Sequence, residues 1–359
     1  MAELLKIDWA NLPIERQVYV RLEDIFLPPY IQKCRWFAGK SRSISRLKVK
    51  HALPMQTPEI LIYFLVFEVF YTEGASENYL LPISYLADNQ ALSEKATITE
   101  VEIDGKKVIL IDAIYDARFR SAIFENISES KQISLPKNAK IAFTRGKALA
   151  EEKDFSKIIS EVPPIDSSNS AMIFNGKYFL KLYRKLFKDT NPEVEMVEFI
   201  TQNSEFRNIP RFAGSLTWKR ENSLDVTLGM MVEVIDNEKD SWSKTGDYLN
   251  DFIFAFVDGN FQIRENVFDK VALLAHRTAE MHDALFAPRA KEAFCAEPFD
   301  RTYRRYIHKR FEDLLEKRYA LLIENYQKLD EQAQELAWVF MESKDLIDEF
   351  IDQILTRPL

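Results

Sequence analysis

The chain has 359 residues, is 47% hydrophobic and carries a formal net charge of −8. This length predicts two or three domains, and the apolar fraction excludes global disorder. The nine glycines exclude collagen-like and glycine-linker architectures, and the acidic balance disfavours a nucleic-acid partner. Two cysteines cannot form a disulfide framework, and the longest apolar run, residues 60–67, is too short to cross a bilayer. A cytoplasmic protein without a membrane partner is therefore predicted.

Residues 1–130 form the first predicted domain, which is rich in strands. Its predicted strands are 47–53, 60–71, 97–103 and 106–111. Asp104-Gly105 separates the last two, and this dipeptide is typical of a tight hairpin because both turn positions need a positive φ. Residues 115–127 have the apolar spacing of a short amphipathic helix.

Residues 131–236 form the second predicted domain, which mixes strands with a helix. Its predicted strands are 141–144, 171–174, 177–184, 212–219 and 225–234. Asn175-Gly176 predicts a hairpin turn. Asn191 is a good helix cap and Pro192 suits a first helical position, so a helix is expected from there to about residue 203.

Residues 237–359 form the third predicted domain, which is helical and is expected to be an incomplete lobe. Its predicted helices are 248–256, 267–285, 303–329 and 331–355, each with a three-to-four-residue apolar period. We expect an apolar patch at Leu336, Trp338, Val339 and Phe340, which predicts self-association.

Lys181 is the residue with the clearest chemical implication. Strand alternation places it on one face with Phe179 and Tyr183, and a lysine on an apolar face needs an anionic partner. Glu195, in the first turns of the next helix, is a candidate, because kinases position nucleotide phosphates with a strand lysine and a helix glutamate. The alternative is that Lys181 extends to water and Glu195 only favours the helix N-terminus.

Three further features are open to two interpretations each. The apolar strand at 228–234 is either a core strand or a kinase hinge, whose backbone groups bind adenine. A basic run is either a solvated face or a surface for phosphate or an acidic partner, and it consists of Lys33, Arg35, Lys40, Arg42, Arg46, Lys48 and Lys50. The four histidines have no metal-ligand spacing, which favours structural roles.

The hexapeptide Arg35-Trp36-Phe37-Ala38-Gly39-Lys40 resembles the N-terminal cap signature of bacterial maltokinases, which are often fused to trehalose synthase. Further segments resemble the family in the same order: Ser168-Asn169-Ser170, Leu180-Lys181-Leu182-Tyr183-Arg184, 191–195, 240–242, 277–282 and 297–299. The resemblance covers nearly the whole chain. It implies an α+β, protein-kinase-like fold of the aminoglycoside phosphotransferase type, with a β-rich cap and a partial helical C-lobe.

The resemblance also implies a reaction, in which the γ-phosphoryl group of ATP passes to the anomeric hydroxyl of maltose in trehalose and glycogen metabolism. It implies ATP and Mg²⁺ as cofactors, and maltose and trehalose synthase as partners. The ATP-binding residues it implies are Ser168, Asn169 and Ser170 in the phosphate loop, Lys181 with Glu195, and Glu233 with Val234 at the hinge. Val232 and Val234 depart from the polar and aromatic residues expected there.

Two family motifs have no counterpart in this sequence. The family's catalytic loop contains His-Gly-Asp and its metal motif is Asp-Phe-Glu, and neither triplet occurs. No catalytic base or metal ligand is therefore assigned, and the chain is expected to stop before the catalytic loop and to be inactive alone. One alternative is a non-catalytic binding module fused to or associated with trehalose synthase. Another is a kinase for a different small hydroxylated substrate.

Overall fold

The structure is a computed structural model that describes residues 4–87, 94–150, 158–164, 169–187, 191–257, 263, 265–286 and 292–356. It divides into two compact units, Met1–Leu285 and Phe286–Leu359. In the described part, the last strand ends at Glu233 and only helical elements follow. The predicted α+β class, with β-rich residues first and helices last, is confirmed.

The first sheet is formed mainly by the N-terminal part of the first unit. Its strands are β1 Leu5–Ile7, β2 Ile44–Gln56, β3 Leu61–Tyr71, β4 Glu77–Ala87, β5 Thr97–Ile103 and β6 Lys106–Asp112. They lie in the order β1-β5-β6-β4-β3-β2, and all pairs are antiparallel except β1 with β5. Two helices, α1 Arg16–Arg21 and α2 Leu27–Lys33, precede β2 and are joined by a π turn at Leu22–Phe26.

Strand β3 explains the long apolar run in the sequence, because it is buried on both faces. Ile62 and Phe64 belong to one hydrophobic core, whereas Leu65 and Phe67 belong to the other. The first core also contains helix α3, Ala117–Ser128, and the second contains residues of α1 and α2. Alternation along one strand therefore holds the first sheet between two apolar layers.

The second sheet is antiparallel throughout. Its strands are β7 Gln132–Leu135, β8 Ala139–Arg145, β9 Ser160–Glu161, β10 Ser170–Phe174, β11 Tyr178–Leu182, β13 Phe212–Lys219 and β14 Val226–Glu233. They lie in the order β7-β8-β13-β14-β11-β10-β9. The intervening strand β12, Lys185–Leu186, pairs instead with β4 of the first sheet. The chain therefore crosses between the sheets immediately after β11.

Both predicted hairpin turns are confirmed by their backbone angles. The φ values are 51° at Asp104 and 73° at Gly105, and 52° at Asn175 and 64° at Gly176. Consecutive positive φ values define the turn that matches the twist of the flanking strands. The side chain of Asn191 accepts a hydrogen bond from the N–H of Glu193, so the predicted helix cap is confirmed too.

The remaining helices of the first unit are α4 Lys147–Ala150, α5 Pro192–Asn203, α6 Ser241–Val257 and α7 Glu265–Leu285. The second unit contains α8 Arg301–Asn325, α9 Glu331–Glu342 and α10 Lys344–Thr356. Short 3₁₀ helices lie at Trp9–Ile14, Ala113–Tyr115, Glu292–Phe294 and Tyr326–Lys328. The single helix predicted for 331–355 is wrong, because the chain leaves helical geometry at Ser343, whose hydroxyl donates to the carbonyl of Val339.

Apolar side chains of α9 are exposed, as the sequence predicts. Leu336, Trp338, Val339 and Phe340 are all at least 40% accessible. Self-association through them stays a prediction. Among the helices of the described part, none has the length and apolar character needed to cross a membrane.

Candidate functional site

Lys181, on β11, forms an ion pair with Glu193 of α5. Its Nζ lies 2.9 Å from Oε1 and 2.8 Å from Oε2 of the carboxylate. The hydroxyl of Tyr183 donates to the same carboxylate at 3.1 Å. Burial, together with the Glu193 charge, raises the pKa of Tyr183, so this phenol stays a neutral donor. The site therefore holds one carboxylate between an ammonium group and a phenol.

The partner of Lys181 differs from the predicted Glu195. Residues two apart on an α-helix point about 200° apart, so Glu193 and Glu195 occupy nearly opposite sides of α5. Asn191 caps the helix and Val194 is buried, and this orientation of α5 turns Glu193, its second residue, toward β11. The pairing expectation is corrected to Glu193, whereas a role of Glu195 toward ATP stays a prediction.

Lys181 lies on a sheet face with apolar neighbours. Directly opposed residues of neighbouring strands share a face, and here they form two rows: Ala171, Lys181, Met230, and Ile173, Phe179, Val232. All six are buried or half-buried. The predicted alternation along β11 is confirmed, because Tyr178, Leu180 and Leu182 belong to the core on the other side. A cation thus adjoins an apolar strip that runs across three neighbouring strands.

Glu233 and Val234, the predicted hinge, lie at the end of β14. The Glu233 N–H donates to the carbonyl of Arg211 at 3.0 Å, and the Val234 N–H donates to that of Lys177 at 2.7 Å. The Glu233 carboxylate also binds the Arg211 guanidinium, with contacts of 2.6 and 2.7 Å. Both N–H groups are thus engaged within the protein. Binding of adenine by this segment stays a prediction.

The predicted phosphate loop is only partly covered. Ser168 lies outside the described residues. The Asn169 side chain accepts a weak hydrogen bond from the N–H of Arg184, and the Ser170 hydroxyl accepts one from Arg184 Nε at 2.7 Å. Ser170 pairs with Leu182 across the strands, so its side chain lies on the face opposite Lys181. The structure therefore does not bring Ser170 and Lys181 together, and their shared role toward ATP stays a prediction.

Arg184 belongs to a buried cluster that sequence reasoning missed. Its Nη2 lies 2.5 Å from Oδ2 of Asp112, and the two side chains are 0% and 1% exposed. Its guanidinium carbon also lies 4.9 Å from the ring centroid of Trp36. Burial raises the pKa of Asp112, while the Arg184 charge and hydrogen bonds from Ile114 and Tyr30 act in the opposite direction. The cluster joins β6 and the Trp36 segment to Arg184, two residues after the end of β11.

Glu77 makes a second connection between the same regions. Its carboxylate accepts hydrogen bonds from Tyr71 and Tyr79 at 2.6 Å, and contacts Lys185 at 2.7 Å and Arg42 at 3.2 Å. Burial acts to raise the pKa of Glu77, but the bonds from Lys185 and the two tyrosines outweigh it and lower the pKa to about 2. A charged carboxylate is thus held at the start of β4.

We find no place for a metal ion within the described residues. No group of three or more His, Cys, Asp or Glu side chains there is arranged to hold one. His51 instead meets Trp218 edge-on, with 4.8 Å between ring centroids, and burial lowers its pKa. His308 pairs with Asp352 at 2.7 Å in the second unit. We therefore assign no magnesium ligands and derive no step through Mg²⁺.

Residues 30–116 match the family model of the maltokinase N-terminal cap domain. This match confirms, for that stretch, the resemblance predicted from the hexapeptide at 35–40. The chain is also similar to a solved glucosamine kinase in complex with glucosamine, ADP and inorganic phosphate, with 13% identity, a TM-score of 0.45, and 91% of this chain covered. Crystal forms B and A of glucosamine kinase match at 13% and 14% identity, with TM-scores of 0.46 and 0.43 and 89% and 87% of this chain covered. The chain spans 64%, 62% and 58% of the lengths of these three solved structures.

Proposed function

We propose that this chain provides the nucleotide-binding part of a maltokinase-type sugar kinase. The reaction proposed is transfer of the ATP γ-phosphoryl group to the anomeric hydroxyl of maltose, giving maltose 1-phosphate and ADP. The match of residues 30–116 to a maltokinase cap supports the family and the acceptor. The observation that carries nucleotide binding is the strand–helix ion pair of Lys181 with Glu193 beside an apolar strip.

The ammonium group of Lys181 is suited to hold a phosphate. A lysine has three N–H donors, and two directions are taken by the two oxygens of Glu193. The remaining donor is available to a phosphate oxygen, while Glu193 and Tyr183 keep the side chain in place. The Ile173–Phe179–Val232 row, one step along the strands, offers a surface for the adenine ring.

Binding and turnover are separate expectations. The hydroxyl proton of the acceptor needs a base, and phosphoryl transfer needs neutralisation of developing charge. The sequence contains no His-Gly-Asp or Asp-Phe-Glu triplet that could be assigned these roles by resemblance. We therefore expect these 359 residues to bind ATP without consuming it in the presence of maltose.

Binding of a fluorescent ATP analogue to the purified chain tests this proposal. Lys181→Met should weaken binding by about tenfold or more, because a charge-assisted contact with a phosphate is lost. Glu193→Gln should weaken it less, since the lysine remains but loses its positioning charge. Glu195→Gln, on the opposite side of α5, decides between the two interpretations of Glu195. A change of less than about twofold is expected if it only favours the helix N-terminus, and a loss like that of Glu193→Gln would support its predicted role toward ATP.

Unchanged affinity in Lys181→Met would refute the assignment, and a larger effect of Glu195→Gln than of Glu193→Gln would restore the original pairing. A coupled assay for ADP, run with and without maltose, tests turnover separately. Sustained maltose-dependent ADP formation would contradict the expectation of no turnover. Association with a trehalose synthase stays a prediction from the resemblance and is tested by co-purification.

A further inference from the structure

A cleft lies between the Tyr30–Lys40 region and the strand that contains Ser170. Its volume is about 600 Å³, within the range of pockets that hold small molecules. Its charged and aromatic lining includes Lys33, Arg35, Trp36, Lys40 and Lys95. Lys181 does not line it, and we call this space the cationic cleft.

The basic run found in the sequence divides into two parts in the structure. In the later part, Arg42 pairs with Glu77, Lys50 pairs with Glu68, and Arg46 lies over the ring of Phe70. Those cations have roles within the fold.

The earlier part consists of Lys33, Arg35 and Lys40, and all three line the cationic cleft. They are exposed, and none of their side chains forms an ion pair or hydrogen bond in the part of the chain that the structure describes. Three unpaired cations around one cavity are unexpected in a chain with a net charge of −8, since nearby carboxylates would lower their mutual repulsion.

The negative groups of the lining do not offset these charges. Asp112 is already bound by Arg184, by the hydroxyl of Tyr30 and by the N–H of Ile114. Burial raises the pKa of Cys34, another lining residue, to about 11, so its thiol is neutral. Glu94 is the one other acidic side chain of the described lining. The cleft is therefore positive, with an apolar side at Tyr115, Val162 and Pro163.

We propose that the cationic cleft binds a small molecule that bears a phosphate group, through Lys33, Arg35 and Lys40 rather than through Lys181. Arginine matches phosphate oxygens through its fork of donors, and lysines add strong single contacts. The half-buried side chains of Tyr115, Val162 and Pro163, which also line the cleft, can pack against the rest of such a molecule. The cleft is also lined by Asn169 and Ser170 of the predicted phosphate loop and by Ala171, which opposes Lys181 across the strands. Its cations differ from Lys181, so variants of the cleft cations and of Lys181 separate this inference from the proposed function.

Isothermal titration of the full chain tests the proposal with inorganic phosphate, glucose 1-phosphate and AMP, and with maltose as an uncharged probe. Saturable binding of at least one phosphate probe is expected, weakening with added salt. The triple variant K33Q/R35Q/K40Q should bind that probe about tenfold or more weakly. A control, R46Q/K48Q/K106Q, removes the same charge outside the cleft and should stay within about twofold of the parent.

Several outcomes would overturn the proposal. One is the absence of saturable binding by all three phosphate probes. The others are an equal loss of affinity in the cleft and control variants, and an affinity for maltose equal to that for the phosphate probes. The Lys181→Met variant must bind the phosphate probe as tightly as the parent, because a loss of affinity in that variant would place the phosphate on the Lys181 face. The single variant R35Q, checked for its fold by circular dichroism, should show a smaller loss and keeps the test decisive if the triple variant misfolds. Weaker binding of AMP than of glucose 1-phosphate would indicate a sugar phosphate as the ligand, and the reverse a nucleotide.

Discussion

Replacing Arg184 by Met should strongly destabilise the first unit. The substitution removes a guanidinium group that is 0% exposed and leaves the Asp112 carboxylate, 1% exposed, without its cation. Breaking a buried ion pair in this way typically costs about 3–5 kcal/mol. By contrast, Lys181 and Glu193 are 28% and 43% exposed, so Lys181→Met should cost no more than about 1 kcal/mol. The two variants therefore compare a buried pair with a partly solvated one.

Tryptophan fluorescence during urea unfolding measures this difference in the relevant unit. Four of the five tryptophans, at positions 9, 36, 218 and 242, lie in the first unit, and the fifth is Trp338. A Trp338→Phe background therefore restricts the signal to Met1–Leu285. In that background, Arg184→Met should lower the free energy of unfolding by about 3–5 kcal/mol relative to its parent.

The reasoning would be refuted if Arg184→Met cost no more than Lys181→Met. A double variant, Arg184→Met with Asp112→Leu, isolates the cause, because it removes both charges and leaves neither buried alone. It should regain part of the lost stability, although the bonds of Arg184 to Ser170 and to the carbonyl of Leu80 remain lost. A double variant as unstable as the single one would show that the unpaired carboxylate is not the main cost.

Three other perturbations test neighbouring features. Glu77→Gln should lower the free energy of unfolding by about 2 kcal/mol at neutral pH. The folded pKa of Glu77 is lowered to about 2, so its carboxylate stabilises the fold above the ordinary glutamate pKa, and this stabilisation is lost as the pH falls toward 2. Urea unfolding at a series of pH values should therefore show a smaller loss of stability in acid for the variant than for the parent. The hydrogen bond to Asp352, with Glu312 nearby, raises the pKa of His308. The protonated imidazole therefore stabilises the fold fully below the ordinary histidine pKa, and this contribution is lost as the pH rises through the folded pKa. NMR titration should show a lower His308 pKa in Asp352→Asn. Gly39→Ala should cost about 1–3 kcal/mol in thermal unfolding, because a Cβ there would approach the Tyr71 hydroxyl to 2.2 Å.

Local chemistry made parts of this fold predictable. The Asp104-Gly105 and Asn175-Gly176 turns and the Asn191 cap depend on residues within a few positions, and each is found where the sequence predicts it. The helices at Arg16–Arg21 and Leu27–Lys33 were not predicted, since a π turn and two prolines interrupt their apolar period. Strand β4 was also missed, although it holds the centre of the first sheet.

In the candidate site, the position of Lys181 was predictable from the sequence, whereas its glutamate partner was not. The alternation that puts Lys181 on the face opposite Leu180 is a property of one strand, whereas the choice between Glu193 and Glu195 depends on how α5 is rotated against that strand. Arg184 and Asp112 are 72 positions apart, so no local pattern could pair them. A signal was nonetheless present, because Asp112 ends a strand that is otherwise largely apolar and therefore calls for a partner.

The crossing from β11 to β12 connects the cap stretch to the lysine strand. Three residues after Lys181, Arg184 is already bonded to β4 through its carbonyl and to β6 through Asp112. The next residue, Lys185, pairs with Tyr79 in the β4 register and with the carboxylate of Glu77. Since these contacts fix the backbone directly after β11, the position of Lys181 depends on residues within 30–116. Loss of Asp112 should therefore weaken the nucleotide binding proposed for Lys181 as well as lower stability. Titration of the Asp112→Asn variant with the fluorescent ATP analogue measures this, and unchanged affinity in a folded variant would show that residues 30–116 do not position Lys181.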